Sequence, residues 1–225
     1  ANATLAVCSI MVHATKGIVL RTVAYGETSV IVSVYTELYG LQSYLVNGVR
    51  SSKKSNTKGN LFQHAAIIEM EVYHNDLKNL QRIKDSRWHY TYQHVFFDIH
   101  KNAVALFMTE LLQKVIRQPE HNPDLYSFVE DAYMELDKAD KKIVLNYPLF
   151  FLLHLTVFLG FNLQDNYSAE KQVLDLKEGN FVKDTPVHPY YLNASLGSLF
   201  SQLLRVMHPT ELDQVLLNNS IRRQF

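Results

Sequence analysis

Cysteine is nearly missing from this chain. Its 225 residues include one, Cys8, which excludes an intramolecular disulfide framework and any multi-cysteine zinc site and suits an intracellular, reducing, cytoplasmic setting. Long apolar runs are missing too. The longest, Tyr147 to Phe161, is interrupted by Pro148 and His154 and falls short of a bilayer span, so no membrane partner is expected. Catalytic motifs are absent: there is no GxxxxGK[ST], no GxGxxG after a strand, no HExxH and no GxSxG. The ten histidines never fall four apart on one expected helix. The chain therefore reads as a protein that is not an enzyme, with no cofactor and no metal site. Acidic residues are missing locally: none occurs from Val46 to Ile68.

What is present is a globular composition, 47% hydrophobic with 13 Tyr and 12 Phe, enough for a buried core. Formal net charge is zero, but unevenly distributed. Residues 1–90 hold 10 Lys and Arg against 6 Asp and Glu, net +4, and residues 91–225 hold 12 against 16, net −4. A nucleic-acid-binding module joined to a different domain produces such an asymmetry.

Residues 1–10 read as a leader or tag-like segment before a start at Met11. From 11 to 90 the pattern is β. KGIVLRTVAY, TSVIVSVYT, LQSYLVNGV, FQHAAIIEMEVY and LQRIKDSRWHY are five strand candidates rich in β-branched residues, punctuated at Gly26-Glu27, Leu38-Tyr39-Gly40 and His74-Asn75-Asp76. Five short strands in about eighty residues fit a small OB-type barrel, with an SH3-like barrel as the alternative. Residues 91–225 read as helical. KNAVALFMTELLQKVIRQ stops before Pro119, and the next helix opens with Asn122 as cap and Pro123 at its first position. VLNYPLFFLLHLTVFLG is apolar on all sides and is expected to be a central buried helix, with His154 as a hydrogen-bonded core residue. VLDLKEGNFVKD forms a hairpin insertion within residues 162–188, and two capped helices follow, the second over residues 209–225. The expected fold class is α+β: a barrel, then a helical domain carrying a β-hairpin insertion. The acidic run Glu130, Asp131, Glu135, Asp137 and Asp140 reads as a solvated helix face.

The acid-free stretch between two strands is the most informative feature. A polar, glycine-punctuated, all-basic connection on a small barrel can follow a phosphate backbone, because Lys and Arg displace condensed counterions. OB barrels bind single strands by stacking bases on aromatics beside such loops. Arg21, Arg50, Lys53, Lys54 and Lys58 are the leading DNA candidates, followed by Arg82, Lys84 and Arg87. Tyr25, Tyr35, Tyr39, Tyr44 and Tyr73 are candidate stackers; each can equally be a partly buried barrel residue.

These residues carry a family likeness. KGIVLRTVAYGETSVIVSVYTELYG, then LVNGVRSSKK and KGNLFQ, resembles the opening of the RecO family of bacterial recombination mediators. Gly17, Leu20, Arg21, Tyr25, Glu27, Thr28, Thr36, Gly40, Gly48 and Arg50 match its pattern. The likeness is strong over residues 16–60 and looser to the end of the chain, where TELLQKVI and the helix ending LGF also match. Two departures stand out. Asn162 to His188 lacks the four zinc cysteines of many relatives, and Asn47 replaces the usual lysine. The family pattern would also carry slightly more helix beyond Phe225.

The resemblance implies an OB domain and a helical domain acting in DNA repair and homologous recombination. It implies binding of single- and double-stranded DNA, annealing of complementary strands and, with RecR, loading of RecA onto DNA coated by single-strand-binding protein. It also implies capture of that protein's acidic, Phe-ended tail. Lys114 with Arg117, or Lys141 with Lys142, are the cation pairs placed to border a tail pocket. The alternative is a non-catalytic interaction scaffold whose barrel binds peptide rather than DNA.

Overall fold

The computed structural model describes residues 12–50 and 58–224. They divide into two compact units. The first comprises the residues up to Gln93 together with Ala105–Met134, and the second comprises His94–Val104 with the residues from Glu135 onward.

The first unit is built on a closed barrel of order β1-β2-β3-β5-β4. β1 (Val12–Tyr25) is long enough to pair antiparallel with both β2 (Ser29–Thr36) and β4 (Ile67–Tyr73). β2 pairs with β3 (Gly40–Val46), and β4 with β5 (Gln81–Tyr90). A short parallel contact, Tyr44 with Gln81 and Leu45 with Arg82, closes the ring. That parallel closure and a helix between the third and fourth strands, α1 (Lys58–Leu61), make this the OB arrangement and not an SH3-like barrel.

Alternation puts Val30, Val32 and Val34 of β2 inside, against Val19, Tyr44, Ile68, Met70 and Val72. Ile18, Leu20 and Tyr35 are also fully or almost fully buried outside that cluster. A helical layer belonging to the same unit accounts for this. The Gln113 amide of α2 (Ile99–Val115) donates to the Leu20 carbonyl at 2.7 Å, and Tyr126 of α3 (Pro123–Lys138) lies 5.8 Å from Tyr35, ring to ring. Lys16 fastens α3 to β1. Its ammonium donates to Glu130 at 2.6 Å, sits 3.6 Å from Glu37, and lies 5.3 Å from the centre of the Tyr126 ring. Gly40 permits a close approach: with φ of 60°, an added Cβ would lie 2.2 Å from the Glu120 carbonyl oxygen.

Two boundaries flanking the acid-free segment differ from the sequence expectation. β3 ends at Val46, because Gly48 turns the chain with φ of 74°. β4 starts at Ile67 and not Phe62. Residues 58–61 form α1 instead, and Ala65 takes φ of 67°, so that its N–H can donate to Val19 and its neighbour Ala66 can accept from Val19. Leu61 and Phe62 thereby join the barrel core.

In the second unit, α4 (Lys141–Phe158) is not buried on all sides as expected. Ile143, Asn146, Tyr147, Phe150, Phe151 and Leu155 are buried, whereas Leu145, Leu152 and Val157 are exposed. At 18 residues it is longer than its apolar run, and by length and composition alone it would suit a membrane span. Its inner face instead meets protein: the Asn146 amide donates to Val215, and His154 contacts the Val206 carbonyl through Nε2 at 2.9 Å. The expected hairpin, β6 (Val173–Asp175) with β7 (Asn180–Val182), gains a third strand, β8 (Tyr191–Leu192). Leu174, Phe181 and Phe200 form its core. α5 (Ala194–Arg205) follows. The expected final helix splits into a 3-10 turn, Pro209–Gln214, and α6 (Asn219–Arg222), because Asn218 caps a new start through the N–H of Ile221.

The acidic run is not a uniform solvated face. Glu130 and Asp137 are buried. Asp137 Oδ1 accepts the backbone N–H groups of His94 and Val95, both at 2.8 Å. Such bonds offset the cost of burying a carboxylate.

Candidate nucleic-acid interface

The end of β3 and the β1–β2 turn form one rim of the barrel. Ser29 Oγ donates to Asn47 at 3.0 Å, and the Arg50 N–H donates to Thr28 at 3.0 Å, which pins the start of the acid-free segment to the turn. The exposed Arg50 guanidinium reaches the Gly26 carbonyl at 3.4 Å. On β1, Arg21, Val23 and Tyr25 share one face by the two-residue period, and all three are exposed. Lys53 and Lys54 lie outside the described residues, and Lys58 opens α1.

A groove of about 340 Å³ begins beside Asn47 and runs between β3 and β5, lined by Leu45, Tyr73, Arg82 and Lys84 among others. It exists because β3 and β5 pair over two residues only. Asp85 also lines it, so it is not uniformly positive. The cations of β5 divide here. Lys84 is 2.7 Å from Glu71, and Arg87 makes a two-pronged contact with Glu69, both bonds at 2.9 Å. Among the described residues, Arg82, Arg21 and Arg50 have no carboxylate within salt-bridge distance.

Two of the five candidate tyrosines cannot stack on a base as placed. Tyr44 is fully buried in the barrel core, its hydroxyl without a hydrogen-bond partner among the described residues. Tyr35 is buried, its hydroxyl donating to Asn122, and burial pushes its pKa up to about 12. Tyr25 is exposed, Tyr73 is half-buried at the groove, and Tyr39 stacks on His74 at 3.7 Å. The strand patterns place Tyr25, Tyr35, Tyr44 and Tyr73 on strands and Tyr39 in a turn; which of them is enclosed depends on the closed barrel around Tyr44 and on Tyr126 of α3 beside Tyr35.

The expected tail-binding cations belong to different units. In the first unit, Lys114 pairs with Glu110 at 3.5 Å, and Arg117 Nε donates to the Lys114 carbonyl at the end of α2. In the second, Lys142 lies 3.4 Å from Asp213, and Lys141 is exposed. Within the insertion, His188 and Asp175 form a pair at 3.3 Å. Among the described residues no three His, Cys, Asp or Glu side chains converge as a metal would require.

By fold and rim, this is an α+β protein in which an OB barrel with exposed arginines is followed by a helical region. Family models identify it further. The model for recombination protein O, N-terminal, matches residues 11–92, and that for recombination protein O, C-terminal, matches residues 97–224. The chain belongs to the RecO family of DNA repair proteins. It is 33% identical over 200 residues to the DNA repair protein RecO of Phocaeicola vulgatus, covering 89% of this chain and 82% of the relative. Its identity to the Bacteroides fragilis protein of the same name is 34% over 203 residues, with the same coverage. The Christiangramia forsetii RecO is 29% identical over 215 residues, covering 96% of this chain and 87% of the relative.

Proposed function

We propose that this RecO-family protein is a non-catalytic, cytoplasmic recombination mediator. In this reading it binds single- and double-stranded DNA at the barrel rim, anneals complementary strands and, with RecR, helps load RecA onto DNA coated by single-strand-binding protein. The observation that carries the reading is the junction at Asn47. There the acid-free segment leaves the barrel beside a groove holding Arg82, with Arg50 on the adjoining turn. Unpaired cations next to an open groove can displace phosphate counterions. The division of labour retains a DNA-binding barrel up to about residue 90 and a helical partner-binding domain after it. There one of the pairs Lys114/Arg117 or Lys141/Lys142 borders the pocket for the acidic partner tail.

Reversing Arg50, Lys53 and Lys54 to Glu together should weaken single-strand binding at least about tenfold at physiological salt, with the circular dichroism spectrum unchanged. Binding that survives the reversal in a folded variant removes the rim from the site. Salt titration separates this reading from a peptide-binding scaffold. DNA affinity should fall with a log–log slope of about −0.7 per phosphate contact. A protein that retains no DNA at low salt but captures peptide is the scaffold.

A further inference from the structure

α4 carries a second pattern besides its buried face. Leu145, Leu149, Leu152, Thr156 and the C-cap residue Leu159 follow one another at steps of four, three, four and three. That is the heptad spacing of a coiled-coil seam, and it sets the five side chains in one stripe. The stripe faces outward. Leu145, Leu152 and Leu159 are 41%, 37% and 38% exposed, and Leu149 and Thr156 are half-buried. The helix lies wholly in the second unit.

The chemistry of the seam selects its occupant. No charged side chain stands on it from Leu145 to Leu159, and the residues beside it, Asn146, Pro148, Leu153 and Leu155, are uncharged. Thr156 brings no unsatisfied hydroxyl, because its Oγ1 donates to the Leu153 carbonyl at 2.6 Å. An acidic peptide or a phosphodiester backbone would find no cation along this stripe. An aliphatic helix would find a matching surface. Lys142 continues the seam at its N-terminal end, where its charge opposes the helix dipole, and the last turn of α4 holds no basic residue. An antiparallel copy of the same helix answers both features. About a twofold axis, Leu149 meets Leu152 of the copy, Leu145 meets Thr156, and Lys142 meets Leu159 beside the copy's helix C-terminus. Asp213, 3.4 Å from Lys142, holds it only through an exposed pair.

We infer that this face of α4 is a self-association surface, on which a second copy of the chain docks its own α4 antiparallel. The seam spans about 27 Å of helix, shorter than a sustained coiled coil. The dimer is therefore weak and concentration-dependent, as small interfaces are. Assigning this face to a second copy leaves Lys114 with Arg117 as the cation pair for the acidic tail. Joined this way, two copies carry two barrels in one assembly, one for each of two complementary strands; the surface itself does not depend on the DNA-binding reading.

The test uses the full chain. Sedimentation equilibrium across the micromolar range should show wild type passing from monomer toward dimer. Leu149→Glu with Leu152→Glu puts charges at the centre of the seam and should raise the dimer dissociation constant at least about tenfold, because each charge would lose its water on docking. Disulfide trapping reads the orientation and leaves that centre intact. In a Cys8→Ser background, a mixture of Leu145→Cys and Thr156→Cys proteins should crosslink on oxidation, and neither protein alone should. If circular dichroism shows the double glutamate variant unfolded, the trapping pattern decides by itself. A wild type that stays monomeric at every concentration overturns the inference. So does either cysteine variant crosslinking to itself as well as the mixture does, or a folded glutamate variant that keeps the dimer. A monomeric wild type that binds an acidic peptide ending in Phe, and loses it on the glutamate substitutions, gives this face to the tail and overturns the inference as well.

Discussion

Two sets of cations sit on the same barrel and have opposite surroundings. Lys16, Lys84 and Arg87 each face a carboxylate: Glu130, Glu71 and Glu69. Among the described residues, Arg21, Arg50 and Arg82 have no such partner. Residue type does not separate the sets, and position does. β5 lies antiparallel to β4, whose alternate outward residues are Glu69 and Glu71, so cations on the matching face of β5 are neutralised across the ladder. Arg82 opposes Tyr73, beyond the last glutamate. Arg50 follows a strand end where no neighbouring strand supplies an acid. Arg21 lies within the β1–β2 ladder but opposes Ser33. On this barrel, a cation is available to a polyanion where its neighbour across the ladder is not an acid or where the ladder runs out.

The largest expected effect tests the paired set. Glu130→Ala would leave the half-buried Lys16 ammonium without its closest partner, and should cost about 2 kcal/mol in urea unfolding. The same variant has a pH signature. Burial lowers the Lys16 pKa, but the Glu130 hydrogen bond and the Glu130 and Glu37 charges outweigh it, so the net shift is upward. The stabilisation is therefore full below the unfolded lysine value of about 10.4 and is lost as pH rises through the higher folded value. The stability gap between wild type and variant should narrow over that alkaline range. A gap that stays constant would mean the pair contributes by packing and not by charge.

Next comes the unpaired set. Arg50→Glu with Arg82→Glu should weaken single-strand binding about tenfold, or about 1.4 kcal/mol, by fluorescence anisotropy. Unchanged affinity would erase the distinction between the sets.

A smaller effect is expected in the second unit, where Arg205 donates to Asp165 at 2.6 Å. Burial raises the Asp165 pKa, but its bonds to Arg205 and Ser201 reverse that, and the net shift is downward. This stabilisation is present above the unfolded carboxylate value of about 3.9 and is lost as pH falls through the lower folded value. Arg205→Ala should cost about 1 kcal/mol at neutral pH and flatten that acid limb, as read by thermal melts across pH.

The smallest effect sharpens the comparison. Lys84→Gln with Arg87→Gln should change DNA affinity by no more than about twofold, because exposed pairs contribute little. Glu71→Gln, which frees Lys84, should tighten binding by about the same factor. A tenfold loss in the double variant would place these paired lysine and arginine side chains among the DNA contacts.

Local chemistry made much of this legible in advance. The two-residue alternation in TSVIVSVYT, the turns at Gly26 and Gly40, and the Asn122-Pro123 helix start all depend on near neighbours, and each matches the structure. Asn122 Oδ1 accepts the Leu125 N–H at 3.0 Å, as a cap should. The acid-free segment likewise needed no fold to be noticed. What sequence alone left open depends on contacts between distant residues. Phe62 reads as strand but packs beneath the barrel, because Ala65 and Ala66 bond to Val19. Glu130 and Asp137 read as solvated, yet one meets Lys16 and the other the backbone at His94. Tyr35 and Tyr44 read like Tyr25, but a helix covers one and the barrel encloses the other. Charge and periodicity are written along the chain, whereas burial and pairing are set by which strands and helices come to lie beside one another.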